Sequence, residues 1–391
     1  MPDVQFHFTE EQRQFRDVLR RFMAAVSPTT EVRRVMDDER GFDPAVWRRM
    51  ANELGLAGLM VPERYGGSGF GLVELGLAME EMGRVLLCAP YFASAVLAAN
   101  ALCRTGSEAQ KQRWLPGIAS GETLAALAFA EPGGEPGVDS IAMQAAALGG
   151  GYSLTGCKDY VVDGCNADLL LVAARTGGEG GLAGLSLFAV AGEAPGVSRR
   201  RLQALDSTRQ LARLDFDGAP GELLGELGGA GPSLAETLDV GAIALANEMA
   251  GGAQRLLEDT LEYIKLRMQF GRAVASFQAI KHRCAELLLQ VELMKSAAYH
   301  AAQVADAHPG ELAYEASLSK AAASEAYLHA AAEAIQLHGG IGFTWDQDTQ
   351  LWYKRAKSSE VLLGDPAWHR ERMIQVLEQR EFESASDGAA A

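Results

Sequence analysis

The sequence predicts an α+β multidomain chain with a helical domain at residues 1–122, a β domain at 123–232, a helical bundle at 233–382 and a disordered tail at 383–391. Three observations lead to this prediction. Apolar residues in the first third recur with helical spacing. About half of the 43 glycines lie between Glu131 and Pro232, among short apolar runs. After Pro232 the chain is nearly free of proline and rich in Ala, Leu, Glu, Lys and Gln.

The first third carries its helices in pieces. In the segment 11–23, apolar positions stand three and four residues apart, which is typical of an amphipathic helix. Asp43 and Pro44 are suited to an N-cap and a first helical turn, so another helix is expected to begin there. The glycine-rich run 61–69 predicts a loop between helices.

The middle third predicts short strands separated by glycine turns. The runs 168–174 and 185–190 are short and apolar. We interpret the segment 152–164 as a hairpin, with Thr155 and Gly156 near its turn. Residues 177–184 predict an exposed loop.

The last third predicts an antiparallel helical bundle. Three long helices are expected at about 233–268, 276–306 and 311–338, with a shorter one at about 366–380. The small and polar residues from Glu383 onward predict a disordered tail.

Composition and charge limit the class of protein. The content of 48% hydrophobic and 22% charged residues is that of an ordinary soluble globular protein. A net charge of −16 argues against nucleic acid as the main partner, because such proteins need broad basic surfaces. The five cysteines form no C-x-x-C pair, and their odd number excludes a complete disulfide framework. We find no signal peptide or membrane span, and we expect a cytoplasmic protein without a metal site.

The stretch from Tyr263 to Ala285 is basic although the chain is acidic. It contains no Asp or Glu, and its cations are Lys265, Arg267, Arg272, Lys281 and Arg283. It joins two predicted helices, so Arg267 and the Gln278 amide stand at a helix-to-helix corner. Since helix ends and arginine forks bind phosphate, the corner predicts an anionic ligand. The alternative is a solvated basic turn that offsets acidic neighbours.

Glu248 is the only ionisable residue between Asp239 and Arg255. Its helical neighbours three and four positions away are small or apolar, namely Ala244, Leu245, Gly251 and Gly252. They predict space against the helix and a partly desolvated carboxylate, which is suited to act as a base. The alternative is a glutamate on the wet face of an amphipathic helix.

The run Gln336–Gly342 ends the third long helix of the bundle. Gly339 and Gly340 offer backbone amides with no side chain in the way of a ligand. The alternative is a plain glycine C-cap, which needs only one glycine.

Taken together, the three-part plan and five motifs resemble the acyl-CoA dehydrogenase family over residues 5–380. The motifs are VPERYGGSG at 61–69, AFAEPG at 128–133, GCK at 156–158, RMQFGR with FQ at 267–278, and QLHGGIG at 336–342. The resemblance implies a β-barrel-like middle domain and a C-terminal four-helix bundle, with FAD and the acyl thioester between the domains.

The same resemblance implies the flavin contacts. Arg267, Phe270 and Gln278 match positions that reach the FAD of a neighbouring subunit. The turn at its adenine and pyrophosphate end is matched by Gln336, Gly339 and Gly340. These matches imply a dimer and, by the habit of the family, a dimer of dimers.

The chain departs from the family at both usual positions of the catalytic base. Leu363 stands at one position and Gly241 at the other, so neither usual carboxylate is present. Glu248 lies two helical turns beyond Gly241 and is the predicted base, as in bacterial members that act on sterol side-chain CoA esters. Asp365 is the runner-up.

A second departure lies in the β domain. Ala130 precedes the Glu-Pro-Gly motif where Thr or Ser is common, and Glu135-Pro136-Gly137 interrupts the run that follows. Tyr160 and Val162 replace residues that often flank the flavin ring.

The predicted reaction is α,β-dehydrogenation of an acyl-CoA. Glu248 takes the α-proton, the β-hydrogen leaves as hydride to the flavin, and the electrons pass to an electron-transfer flavoprotein. Small residues around Glu248 predict a bulky acyl group, branched or steroid-like. The alternative is a non-catalytic subunit of a mixed tetramer, which lends Arg267, Phe270 and Gln278 to a partner's FAD. A flavin oxidase or monooxygenase on the same fold is a third option.

Overall fold

A computed structural model describes residues 7–178 and 180–390, with the backbone alone from residue 383 onward. These residues form eleven α-helices: α1 (Glu10–Val26), α2 (Thr29–Met36), α3 (Pro44–Leu54), α4 (Leu72–Arg84), α5 (Ala99–Thr105), α6 (Glu108–Ala119), α7 (Gly231–Leu266), α8 (Gln278–Ala307), α9 (Leu312–His338), α10 (Thr349–Val361) and α11 (Pro366–Ala390). No helix among them is long and apolar enough to cross a membrane.

The described residues also form nine strands. Seven form one sheet: β1 (Ala125–Ala128), β2 (Gln144–Leu148), β3 (Gly151–Val162), β4 (Leu169–Arg175), β5 (Leu185–Ala191), β6 (Val197–Arg201) and β7 (Leu211–Leu224). The other two, β8 (Met268–Gln269) and β9 (Arg272–Ala273), form a small hairpin. The predicted order of helical, β and helical parts is therefore confirmed.

The backbone groups into two compact units, which we call the helical unit and the mixed unit. The helical unit contains the described parts of 1–25, 76–86 and 242–391, and the mixed unit those of 26–75 and 87–241. Most of α1 and α4 thus groups with the C-terminal helices. The consecutive domain boundaries at 122, 232 and 382 remain a prediction.

In the helical unit, α9 packs against α8, α10 and α11. Its buried side is lined with alanines, including Ala316, Ala323, Ala330 and Ala334, and small side chains allow close packing of helices. The bundle has one more helix than we predicted, α10. We did not predict α10 because its buried face mixes polar and apolar residues. Helix α11 is described as far as Ala390, and the disordered tail at 383–391 remains a prediction. Ala391 lies outside the described residues.

In the mixed unit, the strands close into a ring, so the β-barrel-like prediction is confirmed. The ring runs through β4, β2, β3, β7 and β5 and returns to β4, with β1 parallel to β4 and β6 paired to β7. Side chains such as Val172, Phe188, Leu214 and Phe216 fill its core. Asp43 accepts hydrogen bonds from the amides of Ala45 and Val46, which confirms the predicted start of α3.

The hairpin turn predicted at Thr155 and Gly156 is wrong. Strand β3 continues through these residues, and the turn between β2 and β3 lies at Gly149 and Gly150, both with positive φ. Gly156 has a φ of +144° beside a register shift in the β3–β7 pairing, so this glycine serves a bulge.

Candidate functional site

The basic corner lies between α7 and α8 and is built on the β8–β9 hairpin. The turn residues Phe270 and Gly271 have φ of +52° and +77°, as a type I′ turn requires. The turn leaves the Phe270 side chain 90% exposed. Phe277 lies behind it, with the Arg272 guanidinium 3.9 Å from the centre of its ring. The corner is therefore an ordered projection that presents an aromatic ring and cations to solvent.

Arg267 and Gln278 flank this projection. Arg267 follows the last residue of α7, Gln278 is the first residue of α8, and both are exposed. The Val274 amide donates to the Arg267 oxygen at 2.8 Å, which ties the far side of the hairpin to the end of α7. Arg267, Phe270 and Gln278 are thus brought together at one corner, as predicted.

The glycine turn that follows α9 has room for a ligand. Gly339 caps the helix with a φ of +70° and donates its amide to the oxygens of Gln336 and Ile335. This cap accounts for one glycine only. A Cβ placed on Gly339 or Gly340 would meet nothing within 4 Å, and Gln336 is exposed. The open space at both glycines is suited to the edge of a flat ligand.

Glu248 lies in the interior of the helical unit. It is 5% exposed, and its Oε1 accepts a hydrogen bond from Nη1 of Arg355 on α10, which is 4% exposed. The expectation of a desolvated carboxylate is met, but Glu248 has a buried cationic partner that we did not predict. Charge compensation across two helices is an evident structural use of this residue.

The space predicted beside Glu248 is filled by protein. A Cβ on Gly251 would lie 1.8 Å from the main-chain oxygen of Glu80, and one on Gly83 would lie 1.9 Å from the main-chain oxygen of Glu248. Helices α7 and α4 therefore pack backbone to backbone. A Cβ on Gly252 would lie 2.5 Å from the Tyr327 hydroxyl. The glycines serve close packing, so the room for a bulky acyl group that we inferred from them is not there.

The runner-up, Asp365, caps a helix. Its Oδ1 accepts from the Trp368 amide at 2.8 Å, at the start of α11. The preceding residues Leu363 and Gly364 both have positive φ, +62° and +106°. The fully buried Lys320 donates a hydrogen bond to the main-chain oxygen of Gly364 at 2.9 Å and so stabilises this turn.

In the mixed unit, Glu131 of the Glu-Pro-Gly motif points inward. Its Oε1 lies 2.6 Å from Nζ of Lys158, and its two oxygens accept from the amides of Ala142 and Met143. Burial lowers the pKa of Lys158 to about 8, although the negative charge of Glu131 acts to raise it. Burial also opposes ionisation of Glu131, but Lys158 and the amides hold the pKa of that carboxyl below its ordinary value. Two of the recognised motifs, 128–133 and 156–158, thus meet in one buried ion pair.

The positions at which flavin-flanking residues were expected differ in exposure. Tyr160 is 58% exposed, with a φ of +57°, whereas Val162 is 6% exposed. A tyrosine with positive φ is rare outside bulges and functional sites. Here it coincides with the second register shift of the β3–β7 pairing.

Sequence reasoning found the exposed flavin candidates but missed the buried partners. Arg355 and Lys320 carry no local motif for their roles, because each bonds to groups distant in sequence. The lysine of the GCK run was recognised by resemblance alone.

Three family models match the chain in order: the acyl-CoA dehydrogenase N-terminal domain at 9–122, the middle domain at 126–219 and the C-terminal domain at 230–377. The chain is 33% identical over 375 residues to acyl-CoA dehydrogenase IpdE2 of Mycobacterium tuberculosis, covering 96% of this chain and 98% of that protein.

Two solved structures have similar folds and lengths. The ChsE4-ChsE5 complex of Mycobacterium tuberculosis matches with a TM-score of 0.86 and 28% identity, covering 96% of this chain and 99% of that one. The Tcur3481-Tcur3483 steroid ACAD matches with a TM-score of 0.84 and 30% identity, covering 98% and 99%. The chain therefore belongs to the acyl-CoA dehydrogenase family, flavoprotein oxidoreductases that use FAD.

Proposed function

We propose that this chain acts in the α,β-dehydrogenation of an acyl-CoA as the subunit that completes a partner's FAD site. The proposal rests on a contrast. The corner that we propose binds FAD is exposed, whereas the two candidate base carboxylates are engaged in bonds within the protein. Gly241 and Leu363 stand at the usual base positions, Glu248 is paired with Arg355, and Asp365 caps α11.

The FAD-binding segments fit the cofactor. Arg267 supplies a guanidinium for a phosphate, and Phe270 an exposed ring for stacking. Gly339 and Gly340 leave open the volume that side chains would fill. These groups project into solvent within the single chain, which supports a site completed by another subunit.

The catalytic alternative assigns the base to Glu248. The support for this role is the position of Glu248 on α7, two helical turns beyond Gly241, where the resemblance places the base of some members. FAD, when bound, would supply the acceptor for the β-hydrogen, which leaves as hydride. Glu248 would take the α-proton while Arg355 holds its carboxylate in place, and substrate entry has to open the packing that α4 and Tyr327 make around this residue.

The acyl group that we propose is bulky, branched or steroid-like. Support comes from the similarity to the steroid ACAD, not from space beside Glu248. We further propose an electron-transfer flavoprotein as the electron acceptor, in line with the resemblance.

A face of the helical unit supports assembly into a dimer of dimers. Leu288, Leu289 and Leu293 of α8 are between 49% and 61% exposed. Beside them, a groove of about 420 Å³ is lined by Leu293, Met294, Ala322, Ala326 and His329, with two polar neighbours. Exposed apolar surface of this kind marks protein interfaces. The ChsE4-ChsE5 relative, a complex of two named proteins, supports a second homologous subunit.

The visible spectrum of the purified protein separates the two roles. The chain is purified alone, and again through an affinity tag from cells of its source, so that a partner chain is retained. A colourless chain alone and a yellow assembly that contains a second dehydrogenase would support the lending role. The assembly is then reduced anaerobically with a steroid-like acyl-CoA.

Glu248→Gln tests the catalytic alternative in the same assay. Glu262→Gln is the matched control, since Glu262 lies on α7 and is exposed beside Lys265. A yellow chain alone that is bleached by acyl-CoA in wild type and in Glu262→Gln, but not in Glu248→Gln, would contradict the lending role and assign the base to Glu248.

A further inference from the structure

An aromatic pair, Tyr263 and His338, joins the two segments that the proposed function assigns to FAD. Tyr263 lies one helical turn before Arg267 on α7, and His338 is the last residue of α9, directly before Gly339. The ring centroids are 4.2 Å apart with 19° between the planes. The Tyr263 hydroxyl also donates to the main-chain oxygen of His338 at 3.2 Å. We call this pair the aromatic clip.

The His338 ring is held by its own helix. It is 6% exposed, and Nδ1 lies 2.7 Å from the Ala334 oxygen. Since a carbonyl oxygen only accepts, Nδ1 carries the proton of this bond. Burial lowers the pKa of His338, so the ring stays neutral at physiological pH. The ring that stacks on Tyr263 therefore has a fixed orientation.

Tyr263 is bonded to both segments. Its main-chain oxygen accepts from the Arg267 amide at 2.9 Å, and its hydroxyl reaches the residue before Gly339. The clip thus connects the start of the corner to the start of the glycine turn, although the two are more than 70 residues apart in sequence.

We propose that Tyr263 and His338 are positioning residues of the FAD site. Their stack sets the spacing between the Arg267–Gln278 corner and the Gln336–Gly340 turn, so that both segments meet one FAD molecule without rearrangement. A ligand that spans two segments binds more tightly when their spacing is set in advance, because less conformational freedom is lost on binding. This inference rests on the proposed role of the two segments in binding FAD.

The test compares FAD affinities of the complete assembly. FAD is removed from the purified assembly, and the apo form is titrated with FAD while flavin fluorescence is followed. Tyr263→Phe keeps the ring and removes the bond to His338, and we expect FAD affinity to fall about tenfold. His338→Ala removes the stack, with an expected loss of about thirtyfold or more. His338→Phe restores an aromatic ring and should recover affinity to within about threefold of wild type.

Tyr314→Phe is the matched control. Tyr314 lies near the start of α9, about 36 Å from His338 at 1.5 Å per residue, and its substitution should leave FAD affinity unchanged. The thermal midpoint of each apo-assembly is measured alongside. A purely structural role of the clip would lower this midpoint and leave the FAD affinity of the folded protein unchanged.

The outcomes separate this inference from the proposed function. Arg267→Ala tests the corner itself and should weaken FAD binding. If Arg267→Ala weakens binding while Tyr263→Phe and His338→Ala bind FAD like wild type, the positioning role of the clip is overturned and the FAD role of the corner stands. If none of the three variants changes FAD affinity, both proposals are overturned.

Discussion

At the scale of single residues, the helical unit buries several carboxylates and compensates them in different ways. Glu81 accepts two hydrogen bonds from Arg20, whose guanidinium reaches solvent. Glu248 and Arg355 are both buried and form an ion pair. Glu80 accepts from the Tyr299 hydroxyl at 2.8 Å. Removing one partner therefore has different consequences at each site.

Replacing Arg355 by Met should destabilise the protein by about 3 kcal/mol, because it leaves the Glu248 carboxylate buried without that cation. The double variant Arg355→Met with Glu248→Leu should recover most of this loss, since no buried charge of the pair remains. Urea denaturation measures both. The control Arg255→Met breaks an exposed pair with Asp259 on the same helix and should cost less than about 1 kcal/mol. If the stability lost by the double variant equals the sum of the losses of Arg355→Met and Glu248→Leu measured singly, the proposed coupling between the two residues is wrong.

Glu80→Gln should stabilise the protein above neutral pH. Burial raises the pKa of Glu80 in the folded state, outweighing the bond from Tyr299. When the pKa of a carboxyl is higher in the folded than in the unfolded protein, its protonated form stabilises the fold. This stabilisation is complete below the ordinary carboxyl pKa and is lost as the pH rises through the pKa of the folded state. Glutamine still accepts from Tyr299 without ionising, so the gain, on the order of 1 kcal/mol at pH 8, should vanish near pH 4. Urea denaturation at both pH values measures it, and an equal gain at both would count against the pKa explanation.

At the scale of elements, the sequence predicted helices better than turns. Helices α7, α8 and α9 lie within two residues of their predicted bounds, because each has a clear beginning and end in its composition. The Thr155 and Gly156 pair has the composition of a turn, yet a bulge uses the same freedom of glycine, and only strand pairing distinguishes the two cases. Helix α10 escaped prediction because Gln350, Arg355 and Ser359 interrupt its apolar face.

The candidate site divides in the same way. The basic corner, which we propose binds FAD, could be located from the sequence because its cations are neighbours in sequence and its turn is local. The Arg355 partner of Glu248 was not, since the two residues are 107 positions apart and neither carries a local signal. The glycines near Glu248 predicted open space beside the helix, but the backbone of α4 and the Tyr327 side chain fill it, which periodicity alone does not reveal.

Lys320 joins three helices, and Lys320→Met should cost about 3 kcal/mol of stability. Its Nζ donates from α9 to the Ser324 hydroxyl, to the Glu360 oxygen at the end of α10 and to the Gly364 oxygen before α11. Methionine fills similar volume but leaves these oxygens without that donor. Lys357→Met is the matched control, because Lys357 is 40% exposed on α10. Equal thermal midpoints for both variants would contradict the joining role of Lys320.

The turn beside Lys320 is held from a second side. His369, 1% exposed, donates from Nε2 to the Leu363 oxygen at 3.1 Å. Burial lowers the pKa of His369 to about 3, with Lys320 and Arg372 adding to the effect, so the ring is neutral. Two buried donors thus hold this turn: His369 bonds to the main-chain oxygen of Leu363, and Lys320 to that of Gly364. These bonds allow Leu363 to keep its unfavourable φ of +62°.

At the scale of the whole molecule, the exposed leucines of α8 bear on the assembly that we propose. Leu289→Glu combined with Leu293→Glu should lower the mass of the native particle from a tetramer to a smaller species, because two charges would face the interface. Light scattering after size exclusion measures this mass. Gln379→Glu, which adds charge at an exposed position of α11, should leave the mass unchanged. A tetramer that survives the double substitution would rule out this face as the interface.

The 90% exposure of Phe270 has a consequence for how the protein is handled. If half of a cofactor site projects from one chain, retention of the cofactor obeys mass action between subunits. Dilution below the dissociation constant of the subunits then releases flavin, and added flavin draws the subunits back together by the same linkage. The yellow colour of a preparation thereby becomes a gauge of its concentration as well as of its purity.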